Sequence, residues 1–398
     1  MAKDILMNTI NLAKKMGCAM LIIGMSIQLS YASARQEAEK IYKQGSYSMR
    51  RGRIFAASQD WSKALKIDPT YADASYDLGG AYFLLGKLEQ AEKYWKMTLE
   101  LDRNHYKAWD SLGFLYTQKG QFDQALENIK KAIDINSDYV NAYINMGFVY
   151  ASVRQIELAI ESWKQASKIS PKNIKAKENL ARIYLSIGKE KESIATWSEV
   201  IKINPKYSYA WYNLGMIYGG KKQYKQAKES YLKAVKFQPK FAAAHNNIAF
   251  LYALEKNVKL AEKHYLAAIA GNKRYLKAYT NLAALYEQTN QINKAIAKLG
   301  DLSRETPKDP VIYNNIGFLY AKQGKLNFAI EYYKKSIKAY NKYPNAYYNL
   351  AEALVKKGQY KKAIFNYEQC IKLVPKSPKN VETLEKIKKL SAKKSRRN

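Results

Sequence analysis

The chain has 398 residues, with 67 lysines and arginines against 34 aspartates and glutamates, for a formal charge of +33. So large a charge invites a nucleic-acid reading, but lysines outnumber arginines about fivefold and the chain is rich in Lys, Asn, Ile and Tyr together. That is the composition of an A- and T-biased genome, so no nucleic-acid partner is expected.

Residues 1–34 read as a secretory signal peptide. Lys14 and Lys15 precede an uncharged run from Met16 to Ala34, with Leu21, Ile22 and Ile23 at its centre and Ala32-Ser33-Ala34 at its end. The run is also long enough to remain as a membrane anchor. Both outcomes place the rest of the chain outside the cytoplasm, periplasmic or secreted if cleaved and membrane-anchored if not. One cysteine then remains, Cys370, where a small core residue is expected. With no disulfide to make, helix packing alone must hold the chain.

From residue 38 to residue 377 the sequence is periodic. Tyr82, Tyr116, Tyr150, Tyr184, Tyr218, Tyr252, Tyr286 and Tyr320 follow one another at intervals of 34, without insertion or deletion. Gly79, Gly113, Gly147, Gly215 and Gly317 keep the same register, as do Ala91, Ala125, Ala159, Ala227 and Ala261. A fixed period of this length predicts a solenoid. Within the fourth unit, Tyr143, Met146, Gly147 and Tyr150 recur at helical spacing, and after Val153-Arg154 the pattern restarts with Ile156, Ala159, Ile160, Trp163 and Ala166. The unit is thus a hairpin of helix A and helix B, ended at Pro171. Small residues at Gly147 and Ala159 let the two backbones approach, and the six tryptophans fill the flanking volume as core. The first unit has Gln44 and Ser48 where others have an aliphatic residue and Tyr, which predicts a poorly formed or atypical end helix. Gly219-Gly220 closes helix A of the sixth unit and predicts a flexible point.

Segment AWYNLGMIYGGKKQYKQAKESYLKAVKFQP, Ala210 to Pro239, resembles the tetratricopeptide repeat pattern, and the resemblance extends over all ten units. It implies an all-α, right-handed superhelical solenoid of about ten hairpins. Residues 378–398 add Val381, Leu384, Ile387 and Leu390 at the spacing of a capping helix, then Lys393, Lys394, Arg396 and Arg397 as a basic tail.

Helix A carries a second organised face, nearly opposite its core, marked by Asn145, Asn179, Asn213, Asn247, Asn281, Asn315 and Asn349. In a superhelix this face lines the inner wall. An amide offers a donor and an acceptor, so it can hold a peptide unit without reading sequence. Phe114, Phe148, Met216, Phe250 and Phe318 flank the ladder as apolar contacts. The series resembles the asparagine ladder of O-linked N-acetylglucosamine transferases, whose repeats hold extended substrate peptides; their catalytic domain has no counterpart here.

No catalytic constellation, metal-ligand spacing or phosphate-cradling loop is found, and His105, His245 and His264 are expected in different structural places. The expected function is therefore non-enzymatic and cofactor-free: an exported scaffold holding a peptide or partner protein in a concave groove, in a bacterial cell-envelope complex as the resemblance implies. The alternative is a binder of anionic envelope polymer or a membrane surface, working through net charge.

Overall fold

The computed structural model describes residues 33–375, 377 and 379–395, and all regular structure among them is helical. The segment read as a signal peptide or anchor lies, up to residue 32, outside the described residues. Two compact units divide the chain, the first ending at Thr196 and the second starting at Trp197.

The first unit holds α1 (33–50), α2 (Ile54–Ile67), α3 (Ala72–Leu84), α4 (Leu88–Leu101), α5 (Tyr106–Gln118), α6 (Phe122–Ile135), α7 (Val140–Ser152), α8 (Ile156–Ile169) and α9 (Ile174–Ser186), with the boundary inside α10 (Glu190–Ile203). The second holds α11 (Ser208–Gly220), α12 (Tyr224–Phe237), α13 (Ala242–Leu254), α14 (Val258–Gly271), α15 (Leu276–Gln288), α16 (Ile292–Glu305), α17 (Pro310–Lys322), α18 (Leu326–Ala339), α19 (Pro344–Lys356), α20 (Tyr360–Leu373) and α21 (Lys379–Ser395). Odd-numbered helices up to α19 are the A helices and the even-numbered ones the B helices.

Each A helix turns into its B helix through one residue with positive φ. Those residues are Gly52, Gly86, Gly120, Arg154, Gly188, Lys222, Lys256, Asn290, Gly324 and Gly358, again 34 apart. At the α3–α4 turn, Lys87 N–H reaches Tyr82 C=O at 2.9 Å and Gly86 N–H reaches Phe83 C=O at 3.0 Å, closing the last turn of the helix. Four of these positions are not glycine, and the left-handed conformation disfavours a Cβ by roughly 1–2 kcal/mol. Lys222→Gly and Lys256→Gly are each expected to stabilise the second unit by about 1 kcal/mol, read as a higher midpoint in urea.

The glycines of the small ladder each receive a large side chain, an aromatic ring in most repeats and Ile129 at Gly113. A Cβ on Gly147 would lie 2.4 Å from Trp163 Nε1, one on Gly79 2.6 Å from Trp95, and one on Gly215 2.6 Å from Tyr231. Trp163 Nε1 meanwhile donates to Ile144 C=O at 3.1 Å. The B-helix tryptophans Trp61, Trp95, Trp163 and Trp197 are accordingly buried. Trp109 and Trp211 differ from the expectation that every tryptophan is core. Both are half-buried on A helices, donate to the carbonyls of Arg103 and Pro205, and carry Lys131 and Lys233 over their rings at 4.6 and 4.1 Å.

Two further expectations are corrected. The first hairpin is well formed: Ala38 is fully buried, and Gly45 receives Trp61 as later glycines receive theirs. Polar Gln44 and Ser48 do not interrupt α1, because the contacts that fix it come from other positions. In α21, Leu390 is buried and Ile387 packs on the last hairpin, but Leu384 is 48% exposed and Thr383 takes the inward place. Of the basic tail, the side chains of Lys393 and Lys394 and all of Arg396 and Arg397 lie outside the described residues, as does the side chain of Val381.

Candidate functional site

Helix A must bury one face against helix B, so its opposite face is free to carry other side chains. On that face the structure spends much of the asparagine ladder on neighbouring repeats. Asn145 Nδ2 donates to Asp110 Oδ1, Asn281 Nδ2 to Asn246 Oδ1 and Asn349 Nδ2 to Asn314 Oδ1, all at 2.9 Å and all across 35 residues. Tyr42 Oη and Asp77 make the same step at 2.7 Å, and Tyr76 and Ser111 at 3.4 Å. Burial raises the Asp110 carboxyl to about 6, against the lowering effect of its Asn145 hydrogen bond. Asn179 is 7% exposed, and its Nδ2 has no hydrogen-bond partner. One step back stands Ile144, which has no polar side-chain atom to offer. Asn213 bonds within its own helix, to Tyr209 C=O at 2.7 Å. Asn315 is half-buried beside Ile316.

The flanking apolar residues divide in two. Phe114 packs against Phe83, with ring centres 5.6 Å apart, and Phe148 meets Trp163 edge-on at 5.7 Å. Both are therefore tucked between helices instead of standing out as contacts. Met216, Phe250 and Phe318 remain 46%, 49% and 41% exposed.

Four of the expected residues come together in the second unit. A cleft of about 370 Å³ between α11, α13 and α15 is lined by Met216, Phe250, Asn247 and Asn281, joined by Asn246, Lys277, Tyr224 and the Gly219-Gly220 pair. Its amides form a relay: Asn281 donates to Asn246, Asn246 Nδ2 to Asn247 Oδ1 at 3.2 Å, and Asn247 Nδ2 to Met216 Sδ at 3.4 Å. An amide nitrogen carries two N–H groups; Asn281 spends one on Asn246 and keeps one for a guest, while Asn246 is buried and Asn247 also bonds Tyr212 and Tyr231. The relay fixes their directions beforehand, which reduces the ordering cost of binding. A second hollow of about 240 Å³ shares Phe250 and Asn281 and continues toward Leu254 and Gln288.

Gly219 and Gly220 have a role here that flexibility does not describe. Helix α11 runs through both, and a Cβ on Gly220 would meet nothing within 4 Å. One on Gly219 would touch only Tyr231 and Ala227 at ordinary distances. Packing does not demand glycine at either place; the missing side chains leave the cleft open.

Two of the three histidines are not in different places. His245 Nδ1 and His264 Nδ1 stand 3.0 Å apart, and His245 Nε2 is 3.0 Å from Pro239 C=O. Trp109, Trp211, Tyr313 and Tyr347 occupy the same repeat position as His245, and each donates to the carbonyl six residues earlier. By that rule His245 carries its proton on Nε2, and His264 donates from Nδ1. Trp163 and Ile144, one position on in the repeat, bond across the same 19 residues, but nothing in the sequence marked His245 and His264 as a pair. Among the described residues no group of three or more His, Cys, Asp or Glu is placed to hold a metal ion.

Models described as tetratricopeptide repeat or TPR repeat match residues 45–86, 113–153, 140–173, 181–222, 208–241 and 309–376, together more than half of the chain. No curated protein matches it in sequence. Among solved structures, the chain is similar to MamA at 25% identity, covering 42% of this chain and 96% of that one with a TM-score of 0.37. PilF of Pseudomonas aeruginosa is similar at 21% identity, covering 51% and 92%, TM-score 0.44. YrrB, described as a TPR protein with an unusual peptide-binding site, is similar at 22% identity, covering 46% and 95%, TM-score 0.37.

Proposed function

The chain is a tetratricopeptide repeat protein, and from that premise we propose that it is a non-catalytic scaffold holding an extended segment of a partner protein across its A helices. The cleft around Phe250 carries this reading. It combines exposed apolar walls, which supply affinity, with pre-directed amides that match the donors and acceptors of a peptide backbone. Of the other ladder asparagines, Asn145 and Asn349 tie one repeat to the next and Asn213 bonds its own helix, so the binding surface is concentrated around the cleft instead of running evenly along the array. The same reading places the protein outside the cytoplasm, in a bacterial cell-envelope complex, supported by the basic start, uncharged run and Ala32-Ser33-Ala34 of the N-terminal segment.

A photo-crosslinking residue at Met216 in the native envelope is expected to capture a defined protein set. Gly220→Leu, which fills the cleft, and Asn247→Ala with Asn281→Ala, which cuts the relay, are expected to reduce that capture about tenfold. An unchanged set from variants with a normal helical circular-dichroism spectrum excludes the cleft as the site. Capture that vanishes on adding salt favours instead an anionic polymer or membrane surface, which the net charge of +33 would attract.

A further inference from the structure

A second groove lies between the B helices α18 and α20, over the end of α19, and shares no residue with the cleft around Phe250. Its volume is about 700 Å³, within the roughly 300–1,000 Å³ of binding clefts. Lys334, Lys357, Lys361 and Lys362 rim it and, among the described residues, no acidic side chain lines it, while Ile330, Leu354 and Phe365 give it an apolar bed. Lys357 is directed by a hydrogen bond to Asn327 Oδ1.

Two of these side chains are costly in the free protein. The position of Lys361, in the first turn of helix B, holds Glu89, Asp123 and Glu157 in three repeats and Lys191, Lys225 and Lys259 in three others. Acid is favoured there by the positive end of the helix dipole, and a cation is disfavoured by about 0.3–1 kcal/mol; α20 has no acid in its first turn and carries Lys361 and Lys362. The position of Phe365 holds Lys93, Glu127, Glu161, Glu229, Lys263 and Glu331 in six repeats and Gln59, Ala195 and Ala297 in the others, yet Phe365 is 57% exposed. An exposed ring beside unneutralised cations is costly for an isolated protein and favourable under a partner that covers the one and neutralises the others.

We propose that this groove docks an acidic segment of a partner protein, an apolar side chain lying on Phe365 between carboxylates that meet Lys334, Lys361 and Lys362. The recess favours a peptide over a membrane surface, since a side chain can enter between α18 and α20.

The test uses the full chain and a labelled synthetic peptide with one tryptophan flanked on both sides by glutamate and aspartate, read by fluorescence anisotropy. Binding is expected to weaken about tenfold or more with Lys361→Glu plus Lys362→Glu, with Phe365→Lys, and with a peptide whose acids are replaced by Gln and Asn. All three protein changes are at exposed positions, and thermal melts verify the fold. Phe250→Ala is expected to leave binding unchanged, which separates this groove from the cleft. The proposal is overturned by a peptide that does not bind, by equal binding of the acidic and neutral peptides, by equal binding to wild type and both groove variants, or by phosphatidylglycerol vesicles binding through Lys361 and Lys362 where the peptide does not.

Discussion

Trp163→Ala is expected to destabilise the α7–α8 hairpin by about 3–5 kcal/mol, the usual cost of deleting a buried indole. The ring is 3% exposed, fills the space over Gly147 and donates to Ile144 C=O. Its loss opens a cavity and leaves that carbonyl without its indole donor. Gly147→Ala is expected to cost about 1–3 kcal/mol in the intact protein, because a Cβ 2.4 Å from Nε1 forces a buried ring to move. In the Trp163→Ala background the same change has room, and the intrinsic preference of helices for alanine over glycine, about 1 kcal/mol, makes it neutral or stabilising. The reversal is the informative outcome. Hydrogen exchange of α7 and α8 amides reads it locally, without assuming that a repeat array unfolds in one step. If Gly147→Ala were equally harmful in both backgrounds, the ring would not be what requires glycine.

Acidification should weaken the second unit through its paired imidazoles. Burial lowers His264 to about 4, helped by the neighbouring charges of His245 and Lys263. Burial lowers His245 as well, opposed by its bond to Pro239 C=O. In the unfolded chain both titrate near 6.5. Between that value and about 4 the unfolded state takes up protons that the folded state does not, so stability falls as pH falls and levels off once the folded pair is protonated. The loss for His264 is on the order of 2 kcal/mol, discounted for its partial exposure. Replacing the pair by residues found at the same positions in the second repeat, His245→Ser with His264→Tyr, is expected to flatten the profile. Urea midpoints at pH 7 and pH 4.5 test this; equal midpoint shifts in both proteins would assign the acid sensitivity to other groups.

Much of the fold was legible because a repeat states its rules many times over. The 34-residue interval fixed the hairpins, and the small residues Gly147 and Ala159 marked where helix A and helix B approach. The turn residues Gly52, Gly86, Gly120, Gly188, Gly324 and Gly358 repeat at the same interval, but the left-handed conformation they share with Arg154, Lys222, Lys256 and Asn290 became visible only in the structure.

The candidate site was legible only as a set of positions. Asn145, Asn281 and Asn349 share a register, but what each can offer a guest depends on the residue 35 places earlier: Asp110, Asn246 and Asn314 accept its amide, whereas Ile144 leaves Asn179 without such a partner. Phe148 and Phe250 also share a register. One is packed edge-on against Trp163, the other is half-exposed above Gly220 and Asn281.

By itself, then, the sequence determined the period and the helical hairpin, since these are local and follow from spacing along one chain segment. Only the tertiary structure decided which polar groups are already satisfied, which rings stay exposed, and that His245 meets His264. A hydrogen bond or a buried ring is a property of two side chains and the space between them, and that space exists only once neighbouring repeats have packed.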